Sequence, residues 1–372
     1  MGEDQLSAEA GSPIESRSIG GRGSDMANRA TPFLENHWYV AAWAGEIGAA
    51  PLARTILGRR IVLYRDAAGA VAALADRCPH RSYPLSRGEV KGDRIVCGYH
   101  GIEFGRDGRC ALVPSTGTAP GALRVRAYPV VEQGPFVWIW MGDPTAPRHD
   151  RLVDQPWFTE PGWAHVTGYF PMGAHYLGLH ENLMDLSHFP FLHGAAVGKP
   201  EHASARPKVT VAGNVVQSVV EHRDVTVMPA YGRRAGFAGP VDRVSESVVP
   251  TPAIHLGKVV MREASGRGEA HVRYIVHCPT PETEHSTHYF WAMARSHFID
   301  DKDIDAEMRA VGEKAFREDK DALEAIEELV VAERDPAFRE RLIASDEAGV
   351  QLLRALARME REDRAEFSRS GA

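Results

Sequence analysis

The sequence predicts an α+β chain of two units. The first is a small β sandwich or barrel; the second is a larger antiparallel-sheet domain with helices gathered on one side. Three observations predict it. Short β-branched and aromatic runs follow one another from 37 to 140 without a helical period between them. A proline-rich stretch, with Pro144, Pro147, Pro156 and Pro161, then interrupts the pattern. Beyond it, further strand-like segments lead into two long amphipathic stretches, 304–332 and 347–367.

The 372 residues give room for two domains, and the 44% apolar and 25% charged composition is that of an ordinary globular chain. A net charge of −7 argues against nucleic acid as the main partner. No apolar run reaches the roughly 18 residues of a membrane span. The N-terminus lacks the apolar core of a secretory signal.

Residues 1–30, rich in Gly, Ser, Glu and Arg, read as a disordered leader, and Met26 is an alternative start. The first unit is expected over 31–150. His37–Val40, Arg60–Tyr64, Ala70–Leu74, Arg94–Val96 and Pro135–Trp140 read as strands, with a turn over Asp66–Gly69 and an end signal at Gly142 and Pro144.

This unit carries Cys78-Pro79-His80 and Cys97-Gly98-Tyr99-His100. Two thiolates and two imidazoles in C-x-H and C-x-x-H pairs suit a Rieske [2Fe–2S] cluster, in which two Cys hold one iron and two His the other. Zinc also takes two Cys and two His, but finger patterns pair like with like, and here each pair is mixed. Gly98 and Gly101 stand where backbone must approach sulfur closely. The other cysteines, Cys110 and Cys278, read as small buried residues. A cluster-bearing chain without a secretory signal is expected in the cytoplasm, where thiols stay reduced.

The second unit is expected over 151–372. It opens with a helical stretch at 175–188 and continues in strands Lys208–Val211, Val215–Val220, Val272–His277 and His288–Met293. The Gly- and Arg-rich segment Pro229–Pro240, with Arg233 and Arg234, reads as a mobile loop whose charges are solvated. Within 181–193, ENLMDLSHFPFLH, the residues Asn182, Asp185 and His188 recur at a spacing of three and form one polar stripe on a helix. Pro190 disfavours helix for the residue before it, so His193 is expected on a turn beyond the helix end. Two such histidines with a carboxylate make a 2-His-1-carboxylate site for ferrous iron with positions open to O2.

The carboxylate is found by helical phase. At about 100° per residue, Phe316, Leu323, Ile326 and Val330 share one arc of the wheel; Asp319 falls inside that arc and Asp321 on the solvent side. A carboxylate on a buried face must be paired or bind metal, so Asp319 is the third candidate ligand, with a buried salt bridge as the alternative.

With Asn182-Leu183-Met184-Asp185-Leu186, His188, His193 and Glu318-Asp319-Lys320 in view, residues 33–350 resemble the oxygenase components of Rieske non-haem iron monooxygenases, more narrowly the vanillate and dicamba demethylase group. The resemblance implies a Rieske domain followed by a helix-grip catalytic domain, assembled head-to-tail as a homotrimer. It implies His188, His193 and Asp319 as iron ligands, Asn182 beside the iron, and Asp185 as the bridge that passes an electron from His100 of one subunit to His188 of the next. It also suggests His277, ahead of Thr280-Pro281-Glu282-Thr283-Glu284, as a pocket residue. One departure is Ala310, where dicamba-type enzymes carry a pocket tryptophan.

The activity so implied is oxidation of an aromatic substrate with O2, most simply O-demethylation of a methoxyarene. Ring hydroxylation and N-demethylation are the alternatives within the family. Gly20-Gly21-Arg22-Gly23 does not follow a strand, so NAD(P)H must be handled by a separate flavin or iron–sulfur reductase, directly or through a ferredoxin. A plain Rieske electron carrier would leave the second unit unexplained. A hydrophobic-ligand module that had lost its metal would not keep the His188, His193 and Asp319 set.

Overall fold

The computed structural model describes residues 33–48, 50–194, 206–227, 236–237, 239–335, 338 and 340–370. The expected leader, Met26, Arg233 and Arg234 lie outside the described residues. Among those described, no helix is long and apolar enough to cross a membrane.

The first part of the chain forms three small antiparallel sheets. One runs β1 (Trp38–Trp43), β11 (Phe136–Trp140), β10 (Val130–Gln133); another runs β2 (Leu52–Ile56), β3 (Arg59–Arg65), β4 (Val71–Ala75), β9 (Ala127–Tyr128). The third runs β5 (Glu89–Lys91), β6 (Arg94–Val96), β7 (Glu103–Phe104), β8 (Cys110–Leu112) and carries the second cysteine loop at its rim. The turn at Asp66 closes as expected, with Gly69 N–H on the Asp66 carbonyl at 2.9 Å.

The rest is a seven-stranded antiparallel sheet in the order β12 (Ala164–Met172), β18 (Ser286–Arg295), β17 (His271–Thr283), β16 (Ile254–Glu263), β15 (Val241–Thr251), β14 (Val215–Val225), β13 (Lys208–Ala212). One face is covered by α1 (Tyr176–Met184), α3 (Lys302–Ala332) and α4 (Glu347–Ser370).

Strand alternation divides β17 and β18 between two cores. Tyr289, Trp291 and Met293 pack with Ile304, Met308 and Leu323 of α3. Val276, Cys278, Phe290 and Ala292 pack with Trp38, Tyr39 and Trp138 of the first part. The junction is also hydrogen-bonded: Thr280 Oγ1 donates to the Val40 carbonyl at 2.7 Å, and Leu57 and Gly58 N–H donate to Pro281 and Glu282 carbonyls at 2.8 Å.

Of the seven strands in this sheet, three are absent from the sequence expectation: β12, β15 and β16. On β15 the buried side carries Arg243, Ser245 and Ser247 between Val241 and Val249, which hides the usual apolar alternation. On β12, Gly168 and Pro171 read as breakers. Gly168 is required because a Cβ there would stand 2.0 Å from the Trp291 ring, and Pro171 is tolerated because β12 is an edge strand.

Two helix expectations also need correction. The stretch 175–188 is not one helix: α1 stops at Met184, Asp185 turns out of helical geometry, and a 3-10 turn Leu186–His188 leads into the short α2 (Phe189–Leu192). The break lies at Asp185, whose side chain accepts from Ser187 N–H at 2.9 Å. Pro190 sits in the first turn of α2, where a missing N–H costs nothing. On α3, Ile326 is exposed and Glu327 is buried in its place. The contact line steps through Ile304, Met308 and Gly312 to Asp319, Leu323 and Glu327. A spacing of four drifts by about 40° per step, so the buried arc has rotated past Ile326 by the end of the helix.

Candidate metal centres

Cys78 follows β4 and Cys97 follows β6, and the two loops repeat one construction. Each cysteine N–H donates to the carbonyl five residues on, Tyr83 at 2.9 Å and Ile102 at 2.8 Å. Each cysteine carbonyl accepts from the N–H four residues on, that of Ser82 or Gly101, at 2.9 Å. Both donors are left-handed, with φ of 58° at Ser82 and 67° at Gly101. The Ser82 hydroxyl accepts from Arg77 Nε and Nη2 at 3.0 and 2.8 Å, which holds the strained turn. A Cβ on Gly98 would lie 2.7 Å from the Arg87 carbonyl oxygen, so glycine lets the loops lie against one another.

Both thiols are buried, whereas His80 and His100 are exposed with ring centroids 4.5 Å apart. Burial pushes the Cys78 thiol up, the His80 N–H pulls it back, and the neighbouring Cys97 thiol pushes it up further. Two facing thiols on the inside and two imidazoles on the outside fit the donor set of a [2Fe–2S] cluster. Cys110 and Cys278 are buried and unpaired, as expected of small core residues.

The second constellation forms where the broken α1–α2 segment meets α3. His188 Nε2, His193 Nε2 and Asn182 Nδ2 converge on a single oxygen, Asp319 Oδ1, at 3.4, 3.3 and 2.8 Å. His188, His193 and Asp319 are the one His, Cys, Asp and Glu group with metal-ligand spacing among the described residues; one ligand atom from each lies within 4.8 Å of the others. The other ring nitrogens are tied back. His188 Nδ1 donates to the Asp185 carbonyl, and His193 Nδ1 meets Glu318 Oε2 at 2.9 Å.

In a neutral ring with its proton on Nδ1, each Nε2 faces the carboxylate with a lone pair, which is repulsive unless a proton or a metal cation lies between them. His188 Nε2 is buried without a hydrogen bond of its own, as a metal-facing nitrogen should be. Burial opposes ionisation of Asp319, but His188 and His193 hold its carboxyl well below the usual carboxylate range. Burial also opposes a charge on His193; Asp319 and Glu318 outweigh it and raise the pKa. The donor set fits a mononuclear iron with open positions.

Asp185 lies at the hinge between α1 and the 3-10 turn, and its Oδ2 accepts from Ser345 Oγ at 3.3 Å. His277 is buried on the α3 side of the sheet, with Nδ1 2.6 Å from Tyr289 OH and its ring edge-on to Phe316 at 4.9 Å. Burial lowers its pKa to about 3 against the pull of Asp319, so it is neutral at ordinary pH. Ala310 lies on an exposed side of α3, and the aromatic groups beside His277 are Tyr289 and Phe316. Sequence reasoning missed the contacts of Glu318, Tyr289 and Ser345. Glu318 was visible only as the neighbour of Asp319, and Tyr289 only through strand alternation.

Residues 37–129 match the Rieske [2Fe-2S] domain, and residues 172–362 match the vanillate O-demethylase oxygenase C-terminal domain. The chain is a Rieske non-haem iron oxygenase. This oxygenase is 34% identical over 339 residues to the dicamba O-demethylase oxygenase component of Stenotrophomonas maltophilia, covering 90% of this chain and 99% of that one. It is 33% identical over 342 residues to a vanillate O-demethylase oxygenase subunit of Pseudomonas sp. strain HR199, covering 88% and 95%. The crystal structure of dicamba monooxygenase bound to 3,6-dichlorosalicylic acid superposes with a TM-score of 0.84 at 33% identity, covering 90% of this chain and 99% of that one. The Rieske oxygenase is thus an oxidoreductase that carries a [2Fe–2S] cluster and a mononuclear iron and draws electrons from a separate reductase. A stand-alone electron carrier is thereby set aside.

Proposed function

We propose that this oxygenase component demethylates a methoxyarene. The observation that carries the reading is the convergence of His188, His193 and Asn182 on Asp319 Oδ1, with the buried rings of His277 and Tyr289 and the Phe316 ring on the same side of the sheet. In this reading Cys78 and Cys97 hold one iron of the cluster and His80 and His100 the other. His188, His193 and Asp319 hold the mononuclear iron. When bound, the two groups together supply stored electrons and activation of O2.

The chain's own residues do the rest. Asn182 donates to Asp319 and fixes the carboxylate's rotation. Neutral His277, oriented by Tyr289, offers a polar contact to the substrate ring's substituent. The cover of α3 over β17 and β18 keeps water from the reacting carbon. Hydroxylation of a methoxy carbon consumes O2, two electrons and two protons and gives water and a hemiacetal. The hemiacetal collapses to formaldehyde and a phenol.

The division at 31–150 and 151–372, a homotrimer and a cytoplasmic setting belong to the same proposal. Exposed His100 then serves as the exit ligand, and Asp185 relays to His188 of the neighbouring subunit. The test is turnover with a surrogate reductase and NADH over methoxy-, N-methyl- and carboxy-arenes. Formaldehyde stoichiometric with a phenol supports the proposal. Ring-hydroxylated product without formaldehyde, or an amine as the main product, would replace it with hydroxylation or N-demethylation.

A further inference from the structure

Two consecutive carboxylates of α3 grip one imidazole. Asp319 Oδ1 stands 3.3 Å from His193 Nε2, and Glu318 Oε2 stands 2.9 Å from His193 Nδ1. The His193 side chain is 2% exposed, whereas Glu318 reaches it from the rim of the site with 30% of its side chain exposed. The other histidine is held differently, with its Nδ1 on the neutral carbonyl of Asp185. The two rings therefore differ in kind: one is backed by a full negative charge, the other by a dipole. Lys314 also stands near Glu318, but its Nζ is 3.9 Å away and its side chain 67% exposed, so that pair contributes little.

We propose that Glu318 is a positioning residue for the mononuclear iron. It accepts the hydrogen bond of His193 Nδ1–H, fixes the tautomer that presents Nε2, and makes His193 the more basic ligand of the pair. The charge lies on the far side of the ring, so it strengthens donation without occupying a coordination position. The inference rests on His193 being an iron ligand.

Four proteins separate the two ideas: wild type, His193→Ala, Glu318→Ala and Glu318→Gln. Each is stripped of mononuclear iron by chelation, and Fe(II) rebinding is followed by anaerobic equilibrium dialysis. The visible spectrum of the Rieske cluster reports that each remains folded. Glu318→Ala should bind Fe(II) about 10–100-fold more weakly than wild type. Glu318→Gln should recover most of that loss, because the amide oxygen still accepts from Nδ1. Its Fe(III)/Fe(II) potential should nevertheless be more positive than wild type, because a negative charge is gone. Wild-type Fe(II) affinity in Glu318→Ala overturns the inference. Should that variant not fold, an unchanged potential in Glu318→Gln overturns it instead. Wild-type Fe(II) affinity in His193→Ala would overturn the ligand assignment beneath it.

Discussion

Ser82 and Gly101 hold the same left-handed conformation, each four residues beyond a cysteine and each donating its N–H to that cysteine's carbonyl. The two cluster loops are thus one device used twice, with different residues solving the same backbone problem. Glycine adopts the conformation freely. Serine does so under strain that Arg77 offsets through two hydrogen bonds.

The loop geometry gives the first prediction. Gly101→Ala should cost about 1–2 kcal/mol from the left-handed backbone alone. Its Cβ would also press on Pro114 Cγ at 3.3 Å. The thermal midpoint and the cluster absorbance per chain should both fall. An unaltered midpoint with full absorbance would contradict the loop description.

Asp319→Asn tests the second centre. The substitution keeps the shape but removes the charge on which His188 and His193 converge. The chain should lose its mononuclear iron while keeping the pair in the cluster, as measured by metal analysis beside the visible spectrum. Retention of all the iron would rule out Asp319 as a ligand.

Asp185→Asn separates the proposed relay from metal binding. The Asp185 backbone carbonyl, which accepts from His188 Nδ1–H, survives the substitution. Both metals should therefore stay, while reductase-coupled turnover drops by about 10–100-fold or more. Wild-type rates measured by oxygen uptake would exclude the relay.

Acid lability follows from sealed histidines. His180 Nε2 donates to the Pro252 carbonyl at 3.0 Å, and burial lowers the pKa to about 4. His297 is lowered to about 3, by burial first and then by Arg273. Below the unfolded value, near 6.5, the unfolded chain takes up protons that the native fold refuses. Stability is therefore complete above that value and falls as pH drops toward the folded pKa. Each ring contributes a loss of up to about 1.4 kcal/mol per pH unit. Urea midpoints should fall between about pH 7 and pH 5, and His180→Leu should flatten the profile. A wild-type midpoint that does not change over this range would contradict the burial of these rings.

Much of the fold was legible because the cues were local. The strands at 60–64 and 94–96 and the two final helices appear almost where apolar periodicity puts them. β15 was missed because its buried side is polar, and β12 because Gly168 makes room for an indole carried by another strand. At the candidate site, spacing picked out His188 and His193 and helical phase picked out Asp319, and the fold brings the three together, yet the supposed single helix is broken at Asp185. That break depends on a side chain capping the next turn, a preference too weak to read against an otherwise helical run. Glu318 escaped notice because its partner lies on a segment more than a hundred residues away.

Strand β17 serves two masters. Its odd positions face α3, as His277 does against Phe316, while its even positions, Val276 and Cys278, are mortised into aromatic rings from the opposite end of the chain. A cut at the proline-rich connector would therefore not yield two self-sufficient halves. The severed C-terminal piece would bare Phe290 and its neighbours as a greasy plate, and it should precipitate unless the N-terminal piece is supplied alongside it.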